Sequence, residues 1–217
     1  MLFNKYHCLE NDFVIIEEPP LNISTICDQH KLIGADGLIF LDGDNMLFFN
    51  KDGSKAKMCG NGIRCAAKFI NDKYDKTTIF KFENKQFKIT NNNDLYTLYY
   101  PLLKYQKIKK YYYVFGDVNH LILFEKYNKN KAIKLHKKYN INITFFHQNN
   151  AQTYEKGVGE TRGCGSGLIA IMSVLYKEKN IDSINISSLG GMSNLSISNN
   201  NILLESKVFH TFKGEII

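Results

Sequence analysis

Two copies of one short motif lie about half a chain length apart, and they constrain the fold more than any other feature. Residues 59–69 read CGNGIRCAAKF and residues 164–174 read CGSGLIAIMSV, so each copy is C-G-[NS]-G followed by an apolar run. The apolar residues of each run recur at helical spacing, which predicts a helix directly after each cysteine. This repeat predicts a duplicated domain that presents one cysteine from each copy.

Short β-prone runs flank both predicted helices, which places the chain in the α+β class. In the first half, strands are expected over Leu2–Tyr6, Phe13–Ile16, Leu38–Leu41, Met46–Phe49, Thr78–Thr90 and Leu95–Tyr100. In the second half, a helix is expected over Lys129–Lys138 and strands over Val114–Phe115, Leu121–Phe124, Ile141–Phe146, Ile184–Ser187, Asn194–Ser198, Ile202–Ser206 and Val208–Phe212. We therefore expect two similar domains, residues 1–110 with a C-terminal strand near 207–217 packing back on them, and residues 111–206.

A C-G-x-G turn at the start of a helix predicts an anion site beside a reactive thiol. The two glycines allow a positive φ and let a ligand approach the backbone. The N–H groups of the first turn have no partner inside the helix, and the helix dipole favours a carboxylate there. A thiol at this place should have its pKa lowered from about 8.5 towards neutrality. Two such thiols, Cys59 and Cys164, suggest proton removal from one face of an α-carbon and return to the other.

Cysteine usage and charge exclude several other classes of protein. The five cysteines, at positions 8, 27, 59, 65 and 164, form no C-x-x-C pair, which argues against a zinc ribbon, a thioredoxin motif and a disulfide-stapled scaffold. We expect reduced thiols in a cytoplasm, with Cys27 and Cys65 as packing residues. The net charge of +7 comes from lysines spread along the chain, with Arg64 and Arg162 the only arginines. This distribution indicates a solvated basic surface rather than a nucleic-acid groove.

The first residues, MLFNKYHCLENDF, contain charges where a signal peptide needs an apolar segment. No apolar run approaches the roughly 18 residues of a membrane span. We therefore expect a soluble protein that is not exported.

Several further motifs occur in a fixed order along the chain: H-C-L-E-N-D-F (7–13), G-A-D-G-L (34–38), F-N-K-D-G-S (49–54), M-C-G-N-G-I-R (58–64), N-I-N (140–142), Y-E-K-G-V-G-E-T (154–161), C-G-S-G (164–167) and L-G-G (189–191). On these motifs the chain resembles the diaminopimelate epimerases, pyridoxal-independent enzymes that interconvert LL- and meso-diaminopimelate. The resemblance implies two pseudo-symmetric α+β domains, each a mostly antiparallel sheet wrapped around a central helix, with a closing cleft between them. It implies no cofactor and no metal.

The resemblance also assigns roles to single residues. It implies Cys59 and Cys164 as the catalytic acid/base pair. Substrate contacts are implied for a larger set: Asn11, Asn50, Gly60, Asn61, His120, Asn142, Glu155, Lys156, Gly165 and Ser166. Of these, Gly60, Asn61, Gly165 and Ser166 match residues that hold the α-carboxylate. Glu155 matches the acid that contacts the amino group, and His120 the histidine near the reacting centre. The implied partner is a small amino acid, without nucleic acid or membrane; a homodimer is left open.

Five positions depart from the family pattern and concern substrate identity. Cys8 and Glu10 replace two glycines, and Val118 replaces a substrate-binding asparagine. Lys156 replaces an arginine that grips the distal carboxylate, and lysine offers only a point charge there. Arg162 stands where the family tends to have an apolar residue. Either these changes are drift with diaminopimelate retained, or the substrate is another amino acid such as histidine or lanthionine.

Three rival interpretations remain at this point. A Cys-His hydrolase pairing Cys164 with His120 or His147 would leave the first motif without a purpose. A non-catalytic basic binding module is the alternative from a different class. A metal site is disfavoured, because its candidate ligands lack suitable spacing: His7, Cys8, Cys27 and His30.

Overall fold

The structure is a computed structural model that describes residues 1–20, 22–43, 45–56, 59–75, 79–82 and 85–217. The chain forms two units, Met1–Leu98 with Ser206–Ile217, and Tyr99–Glu205. Both units combine runs of strands with a few helices, in agreement with the expected α+β class. Across the ranges described, no helix is long and apolar enough to cross a lipid bilayer.

The elements of the first half of the chain are β1 (Leu2–Cys8), β2 (Asn11–Ile16), α1 (Ile23–Ile26), β3 (Gly37–Asp42), β4 (Asn45–Asn50), α2 (Gly60–Tyr74), β5 (Ile79–Phe82), β6 (Lys85–Asn92) and β7 (Leu95–Pro101). The elements that follow are β8 (Lys104–Ile108), β9 (Tyr111–Phe115), β10 (His120–Leu123), α3 (Lys129–Tyr139), β11 (Asn142–His147), β12 (Asn150–Glu155), β13 (Gly159–Thr161), α4 (Gly165–Lys179), β14 (Ser183–Ser188), β15 (Gly191–Ser198) and β16 (Asn201–Glu215).

The two units repeat one topology. In the first, β2 and β3 are parallel and joined through α1, and β4 and β5 are parallel and joined through α2. In the second, β10 and β11 are parallel and joined through α3, and β12 and β14 are parallel and joined through α4. The antiparallel pair β3–β4 corresponds to the antiparallel pair β11–β12. This repeated order agrees with the duplication that the two motifs predict.

Each unit packs its sheet around a central helix that begins at one motif. Most of α2 from Gly60 to Phe69 is buried, and α4 is buried throughout Gly167–Leu175. Strands of the first unit and the end of α1 contribute a core cluster of Phe3, Val14, Ile16, Ile26, Cys27 and Leu38. The second unit has a cluster of Leu121, Leu123, Ala132, Ile141, Ile143 and Phe145. Cys27 and Cys65 are both buried, as expected for packing residues.

Several boundaries differ from the sequence expectation because pairing partners decide them. The segment Lys104–Ile108 is a strand paired with β9, so it lies in the second unit, and the division falls at Leu98 instead of residue 110. The expected strand Thr78–Thr90 is two antiparallel strands, β5 and β6. Thr78 itself lies outside the described residues, as does Met58 of the motif at 58–64. The two strands expected over 202–212 are one strand, β16, whose later part pairs with β1.

Candidate active site

In the first unit, three strand ends meet at one edge of the sheet. Phe13 of β2 lies beside Gly37 of the parallel strand β3, and Asn50 of the antiparallel strand β4 also lies beside Gly37. The start of β2, the start of β3 and the end of β4 therefore share one edge. Asn11 is the first residue of β2 and Asn50 the last of β4, so both predicted substrate amides lie at this edge.

Cys59 is the N-cap of α2, and its side chain belongs to a short hydrogen-bond network. The backbone N–H of Gly62 donates to Cys59 Sγ at 3.4 Å, and the thiol donates to Asn11 Oδ1 at 3.7 Å. Asn61 Nδ2 donates to the same Asn11 oxygen at 3.3 Å, and Asn11 Nδ2 donates to Asp36 Oδ2 at 2.9 Å. The structure thus brings together three residues singled out from the sequence, namely Cys59, Asn61 and Asn11.

Arg64 extends this network, although no role was predicted for it from the sequence. Its side chain is fully buried, which is rare for an arginine. Nη2 donates to Asn61 Oδ1 at 2.6 Å and Nε donates to Cys8 Sγ at 3.3 Å. Nη1 has no hydrogen-bond partner among the residues described. The available signal was its place at the end of M-C-G-N-G-I-R in a chain with two arginines.

Asn50 shares the sheet edge but is held by the loop that follows it. Its Nδ2 donates to Ser54 Oγ at 2.9 Å, and its backbone N–H donates to Ser54 O at 2.8 Å. Within the described ranges no hydrogen bond joins Asn50 to Cys59. Its role as a substrate-binding amide stays a prediction.

In the second unit, a chain of polar side chains leads away from Cys164, the N-cap of α4. Cys164 Sγ lies 3.3 Å from Ser166 Oγ, which lies 2.9 Å from His120 Nε2. On the other side of the ring, His120 Nδ1 lies 2.9 Å from Thr144 Oγ1, and that hydroxyl lies 3.0 Å from Thr153 Oγ1. Cys164, Ser166 and His120 were predicted from the sequence, whereas neither threonine was.

The other predicted residues of this unit lie at the ends of β11 and β12. Asn142 begins β11, and its Oδ1 accepts from the backbone N–H of Lys156 at 2.8 Å. Glu155 ends β12, its carboxylate accepts from Thr161 Oγ1 at 2.8 Å, and it is close enough to Cys164 to raise the pKa of that thiol. The side chain of Lys156 is exposed. Asn142 therefore holds the backbone directly after Glu155, and Glu155 faces the thiol.

Burial reverses the pKa shift that the helix N-terminus predicts for Cys164. Desolvation raises the pKa of this thiol well above its ordinary value, and the carboxylate of Glu155 raises it further. Hydrogen bonds from Ser166 and from the backbone of Gly167 lower this pKa, but by less. The expected thiol pKa near neutrality is therefore wrong at Cys164. Burial also lowers the pKa of His120 to about 3, so its imidazole is neutral.

The second glycine of each motif is required for space, and the expectation of positive φ is wrong. None of the four glycines has a positive φ, because all of them lie in the first turn of a helix. A Cβ added to Gly62 would lie 2.6 Å from Cε1 of Phe48. A Cβ added to Gly167 would lie 2.9 Å from Oγ1 of Thr153. At both positions a side chain would collide with the strand against which the helix packs.

Both helix starts retain the features of an anion site. Gly60 and Gly165 are the first helical residues and are buried, and the preceding cysteines have extended backbone, with φ of −139° at Cys59 and −117° at Cys164. The N–H groups of each first turn point out of the helix end, where the dipole favours negative charge. In the part of the chain that is described, no group of three or more His, Cys, Asp or Glu side chains could hold a metal ion.

Sequence similarity connects this chain to one family of enzymes. The family model for diaminopimelate epimerase matches residues 3–98. The diaminopimelate epimerase of Flavobacterium psychrophilum is 31% identical, and the match covers 93% of this chain and 92% of that protein. The diaminopimelate epimerase of Methanococcus maripaludis is also 31% identical, with 100% of this chain and 99% of that protein covered. The chain belongs to the diaminopimelate epimerase family.

Membership in this family confirms the resemblance carried by the ordered motifs, and the enzyme class is isomerase, of the epimerase and racemase type. Solved structures with the same fold include a hydroxyproline epimerase from Agrobacterium vitis, with a TM-score of 0.65 and 11% identity over 99% of this chain and 91% of that one. A phenazine biosynthesis protein of the PhzF family from Enterococcus faecalis has a TM-score of 0.71 and 14% identity over 100% of this chain and 98% of that one. These likenesses confirm the predicted fold.

Proposed function

We propose that this chain inverts the configuration of an amino-acid α-carbon without a cofactor, with Cys59 and Cys164 as the acid/base pair and diaminopimelate as the substrate. The observation that carries the proposal is that each unit holds one motif thiol at the N-cap of its central helix. Thiols at matching positions of a duplicated fold suit a reaction that removes one proton and returns another. The names of the relatives support diaminopimelate as the substrate.

One turnover begins with Cys164 protonated, the form that burial and the Glu155 carboxylate favour by raising the pKa of this thiol. In that turnover Cys164 is the acid and Cys59 is the base. The Cys59 thiolate takes the α-proton, the electron pair stays on the α-carbon, and the Cys164 thiol delivers its proton to that carbon. The products are a Cys59 thiol and a Cys164 thiolate, which is the form that runs the reverse reaction.

Each charged group of the substrate has a proposed partner in this chain. The helix starts bind the α-carboxylate, where their N–H groups and dipoles stabilise negative charge as it develops. Glu155 binds the amino group, since a carboxylate pairs with an ammonium. The proposed contacts are Asn11, Asn50, Gly60, Asn61, His120, Asn142, Glu155, Lys156, Gly165 and Ser166. Reduced thiols are essential to this chemistry, so a reducing compartment such as the cytoplasm fits it.

A second candidate substrate is another amino acid, such as lanthionine or histidine, acted on by the same two thiols. The observation that favours it is the exposed lysine at position 156, with valine at 118. Lysine binds a distal carboxylate as a point charge, without the bidentate geometry of arginine.

The test is to incubate the purified chain with diaminopimelate, lanthionine and histidine in heavy water and follow the α-proton by NMR. We expect α-deuterium in diaminopimelate together with its second stereoisomer. Cys59→Ala and Cys164→Ala should each abolish the formation of that stereoisomer. Inversion at the wild-type rate in either variant would refute the two-thiol mechanism, and inversion of only lanthionine or histidine would select the second candidate.

A further inference from the structure

Thr144 and Thr153 form a buried hydroxyl pair that the proposed chemistry leaves unused. Thr144 is fully buried and Thr153 is 3% exposed, and their hydroxyl oxygens are 3.0 Å apart. They are paired residues of β11 and β12. The matching pair on β3 and β4 in the first unit is Ile39 with Phe48, both apolar and buried. The fold itself therefore accepts apolar side chains at this place.

The two hydroxyls lie directly against the first turn of α4. A Cβ on Gly167 would lie 2.9 Å from Thr153 Oγ1 and 3.1 Å from Thr144 Oγ1. At the matching place in the first unit, the ring of Phe48 packs against Gly62. Since an aromatic ring fills this space as well, packing does not explain two hydroxyls here. Their hydrogen bond to His120 Nδ1, at 2.9 Å from Thr144, points to a polar role.

The hydrogen bonds that link Thr153, Thr144, His120 and Ser166 stabilise a Cys164 thiolate only when every donor points towards the sulfur. Ser166 has one hydroxyl proton, so it donates to the Cys164 thiolate only if His120 Nε2 carries the ring proton and donates to Ser166. A neutral imidazole then has a bare Nδ1, which needs a donor, and Thr144 is the group beside it. Thr144 in turn accepts from Thr153. A thiol at Cys164 has no such requirement, since its proton can go to Glu155.

We propose that Thr144 and Thr153 are positioning residues that hold the ring proton of His120 on Nε2, so that Ser166 donates to the Cys164 thiolate. The chain of donors runs from Thr153 to Thr144, to His120, to Ser166 and to the sulfur. It gains and loses no proton during turnover, because the transferred proton passes directly between sulfur and carbon. This inference rests on the proposed function for its catalytic meaning.

Removing the Thr144 hydroxyl destabilises the Cys164 thiolate more than the thiol, because the thiolate requires one orientation of the hydrogen bonds and the thiol accepts either. The Cys164 thiol should therefore become harder to ionise. Besides His120, the titratable groups on the strands packed against the start of α4 are Glu155, which faces the thiol, with Tyr154 on the same strand and His147 at the far end of β11; β15 has none. At the other end of α4, Tyr105 and Tyr112 donate to Glu178. None of these groups is altered by a change at Thr144.

The experiment measures alkylation of Cys164 by iodoacetamide against pH in the full chain, with the Cys164 peptide quantified by mass spectrometry. At about pH 8 we expect Thr144→Val to slow alkylation about threefold to tenfold, since one pKa unit is a tenfold change in thiolate, partly offset by greater nucleophilicity. Thr153→Val, one bond farther away, should slow it about twofold to threefold through weaker polarisation of the chain. Thr144→Ser, which restores the hydroxyl, should return the wild-type rate.

The matched control is Ser173→Ala, because Ser173 is a buried hydroxyl on the same helix that donates to Ile169 O at 3.0 Å, outside this chain. Its alkylation rate should equal that of the wild type. An unchanged or faster rate in a folded Thr144→Val chain would overturn the proposal, as would equal slowing in the control. If Thr144→Val does not fold, an unchanged rate in Thr153→Val overturns it. If Thr144→Val slows alkylation but the wild-type protein inverts no amino acid, the role of the threonines is upheld and the proposed function is refuted.

Discussion

At the scale of single residues, the two motifs are supported by buried polar side chains of opposite character. Arg64 stands behind Asn61 with a permanent positive charge, whereas His120 stands behind Ser166 and is neutral. Both side chains are fully buried. Each of these two side chains orients the third residue of a motif. Arg64 should have a measurable effect on activity, and His120 on stability in acid.

Arg64→Lys should reduce kcat/KM at least about tenfold, or about 1.4 kcal/mol of transition-state stabilisation. An ammonium lacks the planar fork that reaches Asn61 and Cys8 together, so Asn61 loses its orientation. Exchange of the α-proton in heavy water measures the loss. Lys134→Arg is the control, because this lysine is exposed on α3 and the reverse exchange there should change the rate less than about twofold. Equal activity in the two variants would contradict the role of Arg64.

His120 should make the chain less stable in mild acid. Its pKa is about 3 when folded and 6.5 ordinarily, so the unfolded chain binds the proton more readily. The associated stability is present above about pH 6.5 and is lost as the pH falls towards 3. Urea unfolding should show the wild type losing about 2 kcal/mol more than His120→Asn between pH 7 and pH 5. Equal losses of unfolding free energy in the wild type and in His120→Asn would show that His120 is not the cause of the acid sensitivity.

At the scale of elements, left-handed residues end helices and close hairpins, and asparagine supplies many of them. The helices α3 and α4 end at Asn140 and Asn180, with φ of 55° and 54°. The turn between β15 and β16 uses Asn199 and Asn200, with φ of 47° and 62°. Asparagine tolerates this conformation because its short side chain hydrogen-bonds locally. Some of the 24 asparagines in this chain therefore have a structural role, which a count of composition does not reveal.

The hairpin between β1 and β2 is less favourable, because its two turn residues are Leu9 and Glu10, which have φ of 55° and 56° and tolerate this conformation less well than asparagine or glycine. Glu10→Gly should raise the free energy of unfolding by about 0.5–1 kcal/mol, since glycine adopts this φ without strain. Denaturant unfolding measures it. Glu10→Ala separates the backbone effect from loss of the carboxylate, because alanine keeps the Cβ and should give no gain. A gain of the same size in both variants would point to charge instead.

At the scale of the whole molecule, the last residues of the chain complete the unit that contains the first ones. β16 pairs with β1 from Val208 opposite Cys8 to Glu215 opposite Leu2. The backbone N–H of Ile216 also donates to Met1 O at 2.9 Å. The first unit is therefore closed only when the far end of the chain is in place.

Truncation after Glu205 should expose the edge of β1 and destabilise the first unit. We expect hydrogen exchange to lose protection in β1 and β2, while α4 and β11 in the second unit keep theirs. Truncation after Glu215 is the control, because it leaves every pair between β1 and β16 intact. Loss of protection spread evenly over both units would contradict the assignment of this strand to the first.

The amino-acid sequence by itself determined the family, the duplicated α+β fold and the two cysteine turns, because these depend on local spacing and on ordered motifs. It also indicated Asn11, Asn61, Ser166 and His120, which the structure places in hydrogen-bond networks with the thiols. Only the tertiary structure decided the raised pKa of Cys164, the buried guanidinium of Arg64 and the threonine pair behind His120. The physical reason is that desolvation and long-range hydrogen bonds depend on which distant strands exclude water from a side chain, and no short pattern records those neighbours.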